Sequence, residues 1–221
     1  YGISVASSRD VAFLNCAVVG VTNQLGLGAG LTVSTSTNLL WAGGVMWSNS
    51  VSLLMGGGTL DVSNSTFSAF GTNDLVYSLA AGAFVRAHYN NYHLENGAQL
   101  GRGQTYLAGG TDLPAPLYYD TLDLWMRSTG NDQHSLSHDP LFANPAALDF
   151  HLQSQGGRCA PGTGVVYDAA TSPLIDAGSP VSSFTNEPAS NGGRRNIGMY
   201  GDTAEASQTP TNARLVVASM N

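Results

Sequence analysis

At 221 residues the chain is long enough for one sizeable core, yet none of its eight basic residues is a lysine, so its solubility rests on Ser, Thr, Asn and Gly more than on charge. A formal charge of -7 excludes the clustered basic surface that nucleic acid or anionic membranes reward, and it repels an acidic polysaccharide unless a cation such as calcium bridges the two. No stretch approaches the roughly 20 apolar residues of a membrane span, and Tyr1 enters in mid-pattern with no basic-then-apolar leader, which implies upstream sequence.

The chain opens on a repeat. Gly2-Ile3-Ser4-Val5 returns as Gly30-Leu31-Thr32-Val33, and the match continues through Val11 with Leu39, Phe13 with Trp41 and Val18 with Met46, an offset of 28 residues. A third pass, Leu60-Asp61-Val62-Ser63-Asn64-Ser65-Thr66-Phe67, aligns Val62 with Trp41 and Phe67 with Met46 after a step of 21 residues. Phe84-Val85-Arg86-Ala87-His88-Tyr89-Asn90-Asn91-Tyr92 reads as a fourth pass, its register open by one position. Each pass alternates apolar and polar residues and then meets Gly, Asn or Ser, the pattern of a short strand ended by a turn. None holds a long run of 3.6-period apolarity, so turns rather than crossover helices link the strands. The expected fold is all-β, a right-handed parallel β-helix whose coils stack at the strand spacing of about 4.8 Å. Phe13, Trp41, Val62 and a residue near His88 form one inward ladder.

Asn15, Asn64 and Asn90, with Gly43 in their place in the second pass, fall at or near one turn position, where both residue types tolerate a left-handed backbone; stacked amides account for them without a ligand. Asn64-Ser65-Thr66 also matches a glycosylation sequon, but it sits within that turn ladder. Cys16 and Cys159 allow one bridge or none; Cys16 reads as a buried thiol and Cys159 as a small inert side chain in a Gly-rich loop.

From Asp112 to Tyr119 the chain is loop-like and broken by proline, and Asp120 is then placed to cap a short helix with Leu122, Trp125 and Met126 on one face and Asp123 in its first turn. Beyond it come Trp125, Thr129-Gly130, Asp132, Ser135-Leu136, Asp139-Pro140-Leu141-Phe142, Asp149-Phe150-His151-Leu152, Ser172-Pro173, Ile175-Asp176-Ala177-Gly178, Asn191-Gly192-Gly193-Arg194, Gly198 and Tyr200-Gly201. In order and spacing this run, over about residues 120–207, resembles the C-terminal end of right-handed parallel β-helix repeat proteins of the pectate-lyase-like superfamily, found in very large secreted bacterial proteins. The resemblance implies a final coil followed by an irregular cap, with many members carrying no activity. A cap has a physical purpose, because the last coil otherwise exposes unpaired strand edges. The organisation expected is coils over 1–110, last coil and cap over 111–206, and a linker or the start of a following domain over 207–221, with Leu215 to Ala218 as its first strand.

Asp139, Asp149 and Asp176 read as loop-anchoring carboxylates on amides near Pro140 and Gly178; calcium held by a subset of them is the alternative, and no other cofactor or metal site is expected. His134 and His138 flank a loop, which does not suit a metal pair, and His151 is expected to contact the cap. Uronate β-elimination needs a base, and the chain offers no Lys, only Arg86 and Arg102 in the later coils. Asp10, Asp61, Asp74 and Glu95 show no pairing suited to glycoside hydrolysis. No catalytic residue is assigned. The polar stretch Arg86, His88, Tyr92, His93 and Glu95 is the candidate carbohydrate-binding site, with Trp47, Tyr77, Tyr92 and Tyr106 as aromatic contacts. The function expected is a non-catalytic structural, adhesive or carbohydrate-binding segment of a large modular extracellular or cell-surface protein. Its partners are a polysaccharide or cell-surface glycan and, at the open edge of the first coil, upstream coils or a neighbouring chain. The alternative is the C-terminal part of a polysaccharide lyase or glycoside hydrolase with its catalytic coils upstream.

Overall fold

The computed structural model describes residues 2–22, 28–103 and 117–211. The first coil runs through β1 (Ile3–Ala6), β2 (Ala12–Leu14) and β3 (Ala17–Val19), and the second through β4 (Ala29–Ser34), β5 (Ser36–Ala42) and β6 (Val45–Trp47). The third holds β7 (Val51–Met55), β8 (Gly58–Ser63) and β9 (Thr66–Ala69), the fourth β10 (Leu75–Leu79), β11 (Ala83–His88) and β12 (Asn91–Leu94), and β13 (Gln99–Gly103) begins another turn. Corresponding strands pair in parallel in three sheets, β1-β4-β7-β10-β13, β2-β5-β8-β11 and β3-β6-β9-β12, giving a parallel β-solenoid of about four turns. β1, β2 and β3 are the terminal strands of their sheets, and Leu14 of β2 is 57% exposed.

The ladders follow the repeat. Ile3, Ser4 and Val5 lie beside Leu31, Thr32 and Val33, Phe13 beside Trp41, and Val18 beside Met46. Trp41 pairs with Val62 and Met46 with Phe67. In the fourth coil Ala87 pairs with Val62 and Tyr92 with Phe67, so the residue near His88 is Ala87 and His88 itself is exposed. The inward apolar side chains among them form one continuous core.

Two devices close the end of the core. β14 (Leu117–Tyr119) turns back antiparallel on β13, and α1 (Leu122–Thr129) lays Leu122 and Trp125 over the last coil, with the Trp125 ring stacked on Tyr77 at 5.0 Å and 3°. The helix cap differs from the expectation. Thr121, with an extended backbone, accepts from the Leu124 amide, while Asp120 accepts from Gln99 Nε2 at 2.6 Å. Gly130 ends the helix in the left-handed conformation with its N–H on Met126.

The described residues after the helix form the cap, built on the antiparallel pairs β15 (Phe142–Asn144) with β16 (Asp149–Leu152) and β17 (Arg158–Ala160) with β18 (Gly164–Val166). Its own apolar cluster of Phe142, Phe150, Leu152, Leu174 and Ile197 packs on Val45, Val19 and Trp47, the outward residues of the third sheet. The cap therefore covers most of that sheet's outer face, leaving Ala17 of β3 exposed.

The cap also lies back along the turns between the second and third sheets. Asn15 Nδ2 donates to the carbonyls of Met199 and Gly201, and Asn64 accepts the Ser179 amide and donates to Ser182 Oγ. The turn asparagines thus bind the cap rather than stacking on one another. Asn64 is 2% exposed, which closes its sequon to a glycan in the folded chain. Gly43, between them in the ladder, has a left-handed φ of 63°, and a Cβ there would stand 2.1 Å from Arg195 Nη2. Residues 207–209, expected as linker, are bound to the cap through Ser207 Oγ on Leu152 O and Thr209 Oγ1 on Asp176 Oδ2. Both cysteines are free thiols. Tyr106, residues up to 116 of the proline-broken stretch, and Leu215 to Ala218 lie outside the described residues.

Candidate functional site

The five residues expected to bind carbohydrate point in three directions. Arg86 and His88 face outward from β11 on the second sheet, where Arg86 pairs with Asp61 of β8 at 2.5 and 2.9 Å. His93 and Glu95 face outward elsewhere, beyond the third sheet, and contact each other at 3.0 Å with the His93 ring edge-on to Phe70. Tyr92 faces inward and is fully buried, its hydroxyl shared with Tyr77 and donated to Asp132 Oδ2, each at 2.9 Å. Burial and the nearby Asp132 carboxylate push both phenols well above their ordinary pKa. Tyr92 and Tyr77 are core residues and cannot touch a glycan on the surface. Trp47 is partly buried, ringed by Phe70, Phe142 and Phe150 at 4.7 to 5.9 Å. Trp47 is an outer residue of the third sheet, and local alternation does not reveal which outer face a cap will cover.

Beside Arg86 and His88 lies a cleft that the repeat analysis did not single out. The residues after the paired Leu14, Ala42, Ser63 and His88 are Asn15, Gly43, Asn64 and Tyr89, all left-handed, with φ of 52°, 63°, 50° and 54°. Three of the four suit that conformation; a tyrosine does not. Asn90, expected at or near the turn position, is buried one place further on, where it accepts the Ser65 amide and donates to Val62 O and Asp132 Oδ1. The Tyr89 ring stacks on His134 at 5.0 Å and 27°, meets His88 edge-on at 5.9 Å, and lies under the Arg194 guanidinium at 5.7 Å. Tyr89, His134 and Arg194, with Ser135, Leu136, Ala177 and Pro180, line a cleft of about 400 Å³ between the fourth coil and the cap.

Its walls are held firmly. Arg194 Nε and Nη2 donate to the carbonyls of Gly178 and Ala177, and Ser135 Oγ bridges the Asn90 amide and Asp132 Oδ1. The cleft offers aromatic faces, a planar cation and hydroxyl partners, a set able to stack on and hydrogen-bond an uncharged polyol. Chemistry on a glycosidic bond has less support. Asp10 is bonded to Asn38, Asp61 to Arg86, Asp74 to the Phe70 amide and Glu95 to His93, so each carboxylate of the described coils has its own local partner.

In the cap, Asp139 accepts the Leu141 amide and Asp149 the His151 amide, as loop anchors. Asp176 anchors Gly192 instead of the amides near Gly178. His138 joins the rung beyond β12 through its backbone, bonded to the Asn91 side chain. A signal for the cleft did exist in the sequence, since a fourth pass aligned one residue earlier sets Tyr89 against Asn15, Gly43 and Asn64. His134 and Arg194 gave no such signal, because only the fold brings them to Tyr89. No family model, curated protein or solved structure matches the chain.

Proposed function

We propose that this chain is a non-catalytic structural or adhesive β-helix segment of a large modular extracellular or cell-surface protein, of the pectate-lyase-like kind, and that it contacts an uncharged glycan at the Tyr89 cleft. The observation that carries this reading is Tyr89 itself. A bulky residue in a left-handed turn costs of order 1–2 kcal/mol that Asn or Gly avoids, and such strain concentrates where a side chain has a task beyond folding. The task the surroundings suit is presentation of a ring beside His134 and Arg194. The negative net charge favours a neutral ligand over an acidic one. Open edges at β1, β2 and β3 suit further coils or a neighbouring chain as protein partners.

The deciding variant is Tyr89→Asn, which gives the fourth coil the residue that Asn15 and Asn64 supply in two others. On an array of neutral and acidic glycans the parent chain is expected to bind a neutral glycan and Tyr89→Asn to lose at least tenfold in affinity, while its melting temperature stays level or rises. Unchanged binding in Tyr89→Asn, or no binding by the parent, would refute the glycan reading. Following ultraviolet absorbance with uronate polymers and calcium in the same series tests for lyase chemistry in this chain itself, where an outer groove of about 470 Å³ on the first sheet includes Arg102; the alternative with catalytic coils upstream calls for the same assay on the longer protein.

A further inference from the structure

A second cluster, in the cap and independent of the glycan reading, brings together three groups far apart in kind. His151 leaves β16, Cys159 sits on β17, and Glu205 comes from the chain's return across them; one donor atom of each lies within 4.8 Å of the others. We infer that His151 Nε2, Cys159 Sγ and a Glu205 carboxylate oxygen bind one divalent transition-metal ion, with zinc the ion whose preferences match an N, S, O set.

The orientation of His151 carries the argument. The residue is 1% exposed, and its Nδ1 stands 2.6 Å from Asp149 Oδ1, which also accepts the His151 backbone amide. That contact puts the ring proton on Nδ1 and turns the Nε2 lone pair toward the cluster. The ring is fixed in this pose by the face of Tyr200, at 3.6 Å and 12°. Nε2 is nevertheless buried without a hydrogen bond, although Glu205 Oε2 lies 3.5 Å away. A buried polar atom left without a partner calls for an explanation, and a ligand it was built to hold is one. A carboxylate on one ring nitrogen with the other nitrogen free is also the arrangement that orients metal-binding histidines and raises their basicity.

The rest of the set fits. At zinc bond lengths of about 2.0–2.3 Å a tetrahedral ion spaces its donors roughly 3.3–3.8 Å apart, a contraction of about 1–1.5 Å from the 4.8 Å limit. Glu205, with its side chain 58% exposed, has room to make it, and Cys159 is only partly buried. Imidazole and thiolate select zinc over magnesium or calcium. Three protein donors leave a fourth position for water or another ligand. The ion would tie β16 to β17 and both to the return segment, fastening a cap that is otherwise rich in turns.

The test uses the whole chain, stripped with chelator, and cobalt(II) and zinc(II) as probes. Expected are one equivalent of cobalt with thiolate charge-transfer absorption and tetrahedral d–d bands, displacement of both by zinc, and a rise in melting temperature on metal addition. Cys159→Ser should abolish the charge-transfer band, Glu205→Gln on the open side should weaken binding about tenfold with the metal-free melting temperature unchanged, and Asp149→Asn should weaken it about 10–100-fold. Cys16→Ser should change nothing. A missing band, or one that survives Cys159→Ser, overturns the assignment. So does alkylation of Cys159 at a rate that saturating zinc leaves unaltered, which would instead mark a thiol–imidazole pair.

Discussion

Asp132 and Glu187 are both buried carboxylates, and their surroundings give them opposite characters. Asp132 accepts from Tyr92 Oη, Trp125 Nε1, Asn90 Nδ2 and Ser135 Oγ, so its oxygens are surrounded by donors from the third sheet, α1 and the strap after it. Glu187 Oε1 accepts the Asn196 and Asp202 amides, but Oε2 has no partner, and burial lifts its pKa above the ordinary carboxylate range despite those bonds and Arg195. The folded chain therefore holds the Glu187 proton to higher pH than the unfolded chain does. Over the window from the ordinary carboxylate range up to the raised value the native state binds more protons, so this group's contribution falls as pH rises. Glu187→Gln keeps an acceptor for the two amides and removes the charge, while Asp202 remains to balance Arg195. Its melting temperature should exceed the parent's at pH 7 by a few degrees, and the gap should close as the pH drops below the ordinary carboxylate range. A gap independent of pH would show that charge is not the cause. None of this was legible from the residues alone, since Asp132 and Tyr92 lie 40 positions apart and no local pattern joins them.

Among the elements, the third sheet has apolar residues on both faces. Val18, Met46, Phe67 and Tyr92 fill the interior, and Val19, Val45 and Trp47 take the cap. Phe67 is at the centre of the inner ladder, stacked on Tyr92 at 5.5 Å and fully buried. Phe67→Ala should cost about 3–5 kcal/mol in urea unfolding, since a rigid stack of parallel strands cannot collapse into the space. A loss under 1 kcal/mol would mean a far looser interior. This ladder could be read in the sequence for the first three coils, where the apolar alternation and the turn residues keep step. In the fourth the register stays open by one in the sequence, because Asn90 is the residue type that a left-handed turn prefers, whereas the turn falls on Tyr89 and Asn90 serves the interior. The cap's contacts with Trp47 and Asn15 had no local signature, because they depend on where irregular chain returns. His151 and Cys159 belong to the same class: His151 reads as ordinary in its strand and Cys159 as an inert side chain in a Gly-rich loop, whereas the structure sets Cys159 on β17.

For the whole molecule, the return of the cap over the turn ladder makes Gly43 a shared point. Its left-handed φ and the approach of Arg195 Nη2 leave no space for a side chain, and the same guanidinium donates to Asn15 Oδ1 at 2.8 Å. Gly43→Ala should lower stability by at least about 1–2 kcal/mol from the backbone alone. It should also loosen the cap, seen as faster amide exchange at residues 195–201 than at Phe67 or Met46. Equal loss of protection at both places would show that cap and coils open as one unit. There is also a consequence in time. Asn15 finds its partners Met199 and Gly201 at separations of 184 and 186 residues, and a ribosome adding about 5–20 residues per second takes roughly 10–40 s to cover that length. For that interval the first coils exist with their turn amides bare and the outer face of β3 and β6 in water, so the nascent chain must be sheltered, or be slow to aggregate, until its own far end arrives.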